Sequence, residues 1–269
     1  TESSDRAFEE EVMLSGFAGA PTKQEGASVV FDQANEAYTA RYTHETIALA
    51  FAITEEAIED NLYDRLAQRY TRALARSMSN TKQVKAAQVL NQAQFTAVTG
   101  GDGVPLIANN HPLSNGGTFS NVLATAADLN ETSLEQSLID IQGFVDERGL
   151  KIALNGRKMI IPKELQFTAE RLMKSTLRTG TADNDINAIN NMGMVPEGYR
   201  VNNFLTDTDS YFLLTDVPNG FKHFERSPIK TALEGDFDTG NVRFKARERY
   251  SFGFSDPRCV FGNGNLPTS

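Results

Sequence analysis

The chain has 269 residues, 40% of them hydrophobic and 23% charged, a composition able to bury a core as one large domain or two modest ones. Its formal charge of -9 excludes a protein that wraps duplex nucleic acid through a broad basic face. Its single cysteine, Cys259, excludes an internal disulfide framework and a cysteine zinc site, and no apolar run reaches the roughly 18 residues that cross a bilayer, so no membrane partner is expected.

The first 26 residues are acidic, contain glycine and follow no apolar period, which reads as an arm lying on other surface. "SVVFDQANEAYTARYTHETIALAFAIT" follows. Tyr38, Ala40 and Tyr42, then Ile47, Leu49, Phe51 and Ile53, recur at period two, which predicts an extended β-hairpin over 27–53. An isolated hairpin is marginal in water, so this one needs other surface to lie against. Thr54 stands where a helix N-cap belongs, ahead of Glu55 and Glu56, whose charge suits a first helical turn. From Glu55 to about Gln92 there is no proline or glycine, and Ile58, Leu62, Leu66, Tyr70, Leu74 and Met78 recur every four residues. The spacing predicts a spine helix of about 55 Å, with Ser77 to Thr81 as the place for a break. Arg65, Arg69, Arg72 and Arg76 form a second stripe on it: a solvated face, or one that meets an acidic partner surface.

The glycine-rich "TGGDGVPLIANNHPLSNGG" reads as loop, and without a following "GK[ST]" it is no phosphate loop. "TSLEQSLIDIQGFVDERG" predicts a helix with Thr132 and Glu135 as a capping box, Leu134, Leu138, Ile141 and Val145 on one face, and Gly149 as the C-cap. "MII" predicts a strand, and Pro162 opens a helix carrying Leu165, Ala169, Leu172 and Met173. "DNDINAINN" reads as loop, "YFLLTDVPNGFKHFERS" as strand, turn and strand, and "EGDFDTGN" as the turn into a last strand. In that strand Val242, Phe244, Ala246, Tyr250, Phe252 and Phe254 fall on one face and Arg243, Lys245, Arg247 and Arg249 on the other. The alternation suits a sheet edge or a seam between subunits.

No catalytic chemistry declares itself. His44, His111 and His223 have no partners at metal-ligand spacing, there is no "HExxH" or "GxSxG", and Asp183, Asp185 and Asn187 begin a calcium-loop spacing that Ala188 breaks. Neither a cofactor nor a metal is expected. The inter-subunit contacts expected are Tyr38 and Tyr42 on the hairpin, Arg65, Arg69, Arg72 and Arg76 on the helix, and Arg243 and Arg247 on the last strand.

Two stretches carry a resemblance. "LIANNHPLSNGGTFSNVLATAADLNETSLEQSLIDI", with its "HP" turn, glycine pair and "N.L" segment before a helix, and the closing "GDFDTGNVRFKARERYSFGFSDPR", resemble the major capsid proteins of tailed bacteriophages. The family's fold is also that of encapsulins and herpesvirus capsid floors. The resemblance implies an α+β fold with an N-terminal arm at 1–26, an extended loop at 27–53, a peripheral domain from 54–99 and 236–269, and a mostly axial domain from 100–235. It also implies a non-enzymatic protein that assembles in the host bacterial cytoplasm, through hexamers and pentamers, into an icosahedral virion shell. Its implied partners are scaffolding and portal proteins, a decoration protein, and double-stranded DNA held with weak, non-specific contact. Some members cross-link their loops through lysine and asparagine; with Lys23 the only lysine before Lys82 and no linking partner identified, no cross-link is expected here. The competing readings are an encapsulin-like shell around protein cargo, a soluble hydrolase built on an unrecognised carboxylate cluster, and a tail or decoration component.

Overall fold

The computed structural model describes residues 1–60, 64–178, 185–236, 238 and 240–265 and, of Ile58 and residues 64–67, the backbone. In chain order the elements are β1 (Glu2–Ser3), β2 (Phe8–Leu14), β3 (Glu36–Thr43), β4 (Glu45–Ile53), α1 (Glu55–Glu59), α2 (Asp64–Asn91), β5 (His111–Pro112), β6 (Thr118–Phe119), α3 (Glu131–Gln142), β7 (Gly156–Ile161), α4 (Gln166–Lys174), α5 (Ala188–Met192), β8 (Tyr199–Val201), β9 (Phe212–Thr215), β10 (Phe221–Gly235), β11 (Val242–Phe254) and β12 (Val260–Gly262). Among the described residues no helix is long and apolar enough to cross a membrane. The chain folds into two compact units: Thr1–Glu9, Arg41–Ala86 and Lys222–Gly253 form the first, and Glu10–Ala40, Ala87–Phe221 and Phe254–Ser269 the second.

The first unit is built on a sheet of order β1-β10-β11-β4. The turn predicted from "EGDFDTGN" joins β10 to β11, with Asp236 and Asn241 bonded across it at 2.8 Å. β11 then runs antiparallel to β4 from Val242↔Ile53 to Tyr250↔Glu45. One face carries Phe244, Ala246, Ile47 and Phe51, and Leu74 and Met78 of α2 pack against them. The predicted apolar stripe is thus met at Leu74 and Met78, while Tyr70 is exposed and the side chains of Ile58, Leu62 and Leu66 lie outside the described residues; the expected single helix from Glu55 is corrected to α1 and α2, with Asp60 in a turn after α1. α2 passes Ser77 to Thr81 without a break; Thr81 donates from its hydroxyl to the Ser77 carbonyl at 3.1 Å, satisfying its hydroxyl within the helix.

The predicted hairpin is corrected. Both of its strands form, but β3 pairs with β2 while β4 pairs with β11. The physical reason is the link: only His44 separates β3 from β4, and the tightest common hairpin needs a two-residue turn. His44 instead serves as a joint. Its Nε2 lies 2.8 Å from the Ser4 hydroxyl and its Nδ1 3.0 Å from that of Ser251. Ser4 donates its one hydroxyl proton to Glu9 at 2.7 Å, so it accepts from Nε2–H, and Ser251 donates to Nδ1. The neutral imidazole is thus the form this joint is built around. The first residues are held in the same way: β1 pairs parallel with β10, Glu2 opposite Phe224.

The second unit explains two unbroken apolar runs. Its sheet has order β12-β9-β7-β8 and is covered on both faces. Met159, Ile161, Tyr211, Leu213 and Phe261 pack with Leu134, Leu138 and Ile141 of α3, while Phe212 and Val260 pack with Leu90, Ala93, Leu106 and Ile107. A strand buried on both faces has no polar side, which is why "MII" and "YFLL" do not alternate. The Tyr211 hydroxyl meets Ser137 at 3.0 Å, and Cys259 is buried against the "PNG" turn, where a Cβ on Gly220 would stand 2.2 Å from its own.

Four expectations are corrected here. α3 starts two residues earlier than predicted, because Asn130 and Ser133 form the capping box, each bonding the other's backbone N–H. It ends at Gly143, and Gly149 turns the following loop with φ of 85°. Pro162 precedes a 3₁₀ turn, Lys163–Leu165, before α4. Within "DNDINAINN", Asn187 caps the short α5 by accepting from the backbone of Ile189 and Asn190, so part of the expected loop is helical. Asp183, in the calcium-loop spacing, lies outside the described residues.

Two outcomes test this account. Phe212, fully buried, should cost about 3–5 kcal/mol on truncation to alanine, whereas Phe167, mostly exposed, should cost within about 0.5 kcal/mol, both read from urea midpoints. Burial and then Arg249 hold the His44 imidazole below the ordinary histidine range, against the pull of Glu9 and with Arg226 adding to the depression. His44 therefore contributes stability that is complete above the unfolded pKa of about 6.5 and is lost as pH falls from there through the folded value. His44→Gln should shrink the fall in urea midpoint between about pH 7 and about pH 5, leaving the part due to His223, also held down by burial.

Candidate inter-subunit surfaces

The outer face of the β11–β4 pair has an unusual makeup. Arg243, Lys245 and Arg247 are exposed, and the register sets them opposite Ala52, Ala50 and Ala48, also exposed. Three long cations thus stand beside three methyl groups, with open surface over the alanines. Arg243 is tied to Asp236. The predicted alternation holds to Tyr250, and its inner face includes Glu248, which is buried and lies 3.6 Å from Lys82 of α2. Beyond Tyr250 it ends: Ser251 is buried, and Phe252 is half-buried with its ring stacked 4.5 Å from that of His223.

The other expected contact residues separate into two groups. Arg69, Arg72 and Arg76 are exposed along α2, and the side chain of Arg65 lies outside the described residues. Tyr42 is interior to its own unit, its ring 4.9 Å from that of Phe224 and so close to Gly253 that a Cβ there would stand 2.7 Å from it. Tyr38 is half-buried in the second unit, where burial first, then the charges of Glu147 and Asp256, push its hydroxyl pKa well up. The period-two spacing located both tyrosines on a strand but gave no sign that their own chain covers them.

A buried polar network, missed by the sequence reading, shapes the loops of the second unit. The Arg258 guanidinium is 1% exposed; it donates to Glu147 at 2.7 Å, to Asp256 at 3.2 Å and to the Val145 carbonyl at 2.7 Å, and lies 4.3 Å over the Phe119 ring. His111 stacks on the same ring at 4.8 Å, with Nδ1 2.6 Å from Asp102 and Nε2 3.2 Å from the Asn121 side-chain oxygen. The Asn121 amide donates to the carbonyls of Leu106, Pro257 and Val260 at 2.7 to 3.2 Å. The "HP" and "N.L" wording thus has a physical content. His111 opens the two-residue β5, paired with β6, Asn121 ties its own loop to Leu106 and to the Pro257–Val260 segment, and Leu123 enters the core. Both ring nitrogens of His111 are engaged and the side chain is fully buried, so this His–Asp pair braces structure. Glu147→Ala, which strands the guanidinium, should cost about 3–5 kcal/mol in urea unfolding, and Glu147→Leu with Arg258→Met together should cost far less.

Comparison with known proteins bears on what these surfaces serve. The sequence model of a family described as phage capsid protein matches residues 37–263. No curated protein matched. Among solved structures, the capsid of cyanophage P-SCSP1u is similar at 12% identity and TM-score 0.58, over 100% of this chain and 85% of that one. A chain of Mycobacterium phage Che8 is similar at 16% identity and TM-score 0.55, over 94% and 83%. The capsid of the native GTA particle is similar at 11% identity and TM-score 0.60, over 96% and 85%. At such identities the structures establish the shared fold, and the α+β fold of this chain is that of phage capsids. The family match takes in residues of both units, and the chain belongs to the phage capsid protein family: it is a structural major capsid protein.

Proposed function

We propose that copies of this chain associate through hexamers and pentamers into a closed icosahedral shell around double-stranded DNA. The observation that carries the reading is the family match over 37–263. On this reading the role is mechanical and calls for no catalysis, and the shell is that of a virion assembled in the host bacterial cytoplasm. A separate scaffolding protein guides closure, a portal takes one vertex, and a decoration protein binds the finished lattice. On this reading residues 54–99 with 236–269 take the peripheral position in a capsomer, 100–235 mostly the axial one, 1–26 the arm and 27–53 the extended loop; the two compact units divide the chain otherwise, with 10–40 and 254–269 in the second.

Charge supports the contact surfaces. The whole chain is acidic, yet Arg69, Arg72, Arg76, Arg243 and Arg247 are exposed cations. In a lattice of identical copies, a local excess of one sign finds its complement on the neighbour. The same acidity suits a container, since duplex neutralised by the wall would be held too tightly at modest salt.

Electron microscopy of the assembled protein, with nuclease-protected nucleic acid measured in the same preparation, tests the reading. Closed shells with protected duplex are the expected result; shells holding protein would transfer the chain to the cargo-shell reading, and discrete monomers under all ionic conditions with scaffold supplied would sink it. Arg243→Glu with Arg247→Glu should raise the concentration needed for assembly about tenfold, since each lost pair weakens a contact by about 0.2–1 kcal/mol and reversal adds repulsion.

A further inference from the structure

The first six residues, "TESSDR", contain no apolar side chain, so the hydrophobic effect does little to hold them to the first unit. What holds them is polar. β1 pairs with β10 over only two residues, Glu2 opposite Phe224 and Ser3 opposite Glu225, and Ser4 adds one main-chain bond by donating to the Glu225 carbonyl at 3.1 Å. Lys222 pairs with Glu2 at 2.6 Å, and Arg226 with Asp5 at 3.8 Å and with the Ser4 carbonyl at 3.5 Å. The two carboxylate side chains are 51% and 102% exposed, and ion pairs so wet contribute little. Two further contacts end on histidine. The Thr1 hydroxyl meets Nδ1 of His223 at 3.1 Å, and the buried Ser4 hydroxyl accepts from Nε2–H of His44 at 2.8 Å.

Both rings sit where a charge is disfavoured. His44 is buried and faced by Glu9 of β2, Arg226 of β10 and Arg249 of β11. Burial first and then Arg249 hold it below the ordinary histidine range, with Glu9 pulling the other way and Arg226 adding to the depression. Its Nδ1 accepts from the Ser251 hydroxyl at 3.0 Å, so a proton bound there meets a group already donating. His223 is faced by Lys82 of α2, Glu225 of β10, the Thr1 amine and the Tyr250 and Phe252 rings of β11. Burial first and then Lys82 hold it down, against the pull of Glu225 and with the amine adding to the depression. Tyr250, pushed up to about 12 chiefly by burial, carries no charge in the same range. Nε2 of His223 is buried with no hydrogen-bond partner among the described residues, whereas a charged imidazole carries N–H at both nitrogens.

We propose that His44 and His223 together form an acid-opened latch, which keeps residues 1–6 on the sheet of the first unit while both rings are neutral and frees them when the rings take up protons. Lifting the segment takes Ser4 off one ring and Thr1 off the other and admits water to both. A histidine held down in the closed state and ordinary, near 6.5, in the open one binds a proton on opening, so closure is favoured above about pH 6.5 and loses ground as pH falls through the closed-state values. Each ring favours opening by up to about tenfold per pH unit below about 6.5, and because both act on the same six residues the two effects multiply. With so few main-chain bonds to break, the segment opens before the unit unfolds. Opening also bares the β10 edge at Phe224 and Glu225. The latch lies within one copy and does not depend on assembly.

The test places a pH-insensitive fluorophore on Asp5→Cys in the full chain; Cys259 is buried and stays unlabelled. Between about pH 7 and about pH 5, where histidine is the side chain that ordinarily titrates, the fluorescence anisotropy should fall while the near-ultraviolet circular dichroism of the tyrosines holds steady. His44→Gln with His223→Gln, built on the same labelled chain, should flatten that fall, and either change alone should make it shallower. Ser4→Ala, which removes the acceptor facing His44, should move the fall to higher pH. An anisotropy that does not change with pH overturns the latch, as does a fall that is identical in the double histidine variant. A fall that accompanies loss of the circular dichroism signal is unfolding of the whole unit and overturns it too, and a Ser4→Ala profile that coincides with the parent's overturns the part assigned to His44.

Discussion

A guanidinium removed from water costs several kcal/mol unless every face of it is answered, and the second unit is arranged around answering Arg258. Glu147 and Asp256 supply charge, the Val145 carbonyl accepts a further hydrogen bond, and the Phe119 ring covers a face. From there the contacts close a circuit. Phe119 stacks on His111, His111 bonds Asn121, and Asn121 bonds the carbonyl of Pro257, the residue before Arg258. Strands of two residues such as β5 and β6 have no stability alone, so the loops from about residue 100 to 123 owe their shape to this circuit. Its members come from segments more than 100 residues apart, which makes it also a check that the chain has closed correctly.

How far the sequence could be read follows from which forces were local. The face that β11 turns to α2 was legible because a helix covers one side and water the other, and that asymmetry writes a period of two into the residues. Leu74 and Met78 were legible on α2 for the same reason. "MII" and "YFLL" were recognisable as strands, but not their layers, because a strand covered on both faces keeps no alternation by which to assign a side. The hairpin failed at a different level. Tyr38 to Tyr42 and Ile47 to Ile53 gave two correct strands, but partners are chosen by main-chain groups common to every residue, and only the one-residue link at His44 argued against pairing them together. The capping box shifted because Asn130 and Ser133 serve as well as Thr132 and Glu135, and composition does not rank two such boxes two residues apart.

The candidate surfaces divide along the same line. Exposed arginines in a stripe can be read from spacing, since nothing need be known of their partners to see that they share a side. The tyrosines could not, because a ring at an outward-seeming position is buried or free according to what the rest of the chain brings to it. Arg258 was the furthest from sight. An arginine in "SDPR" near the end of a sequence is ordinary; it becomes the centre of a unit only when Glu147 arrives from the loop after α3.

The distribution of charge and apolar surface also bears on how a shell of such subunits holds together. Exposed ion pairs are individually weak and screened by salt, and a single apolar side chain covered by a neighbour adds at most about 3 kcal/mol. Neither alone gives a durable contact. Where one neighbour engages the basic face and an apolar patch at once, the second engagement becomes intramolecular, and its effective concentration multiplies the first. Closure into a ring then makes every subunit both giver and receiver, so that leaving requires two seams to open together. On this view the weakness of each contact is useful during assembly: a misplaced copy can release, and only the closed arrangement is held by all its seams.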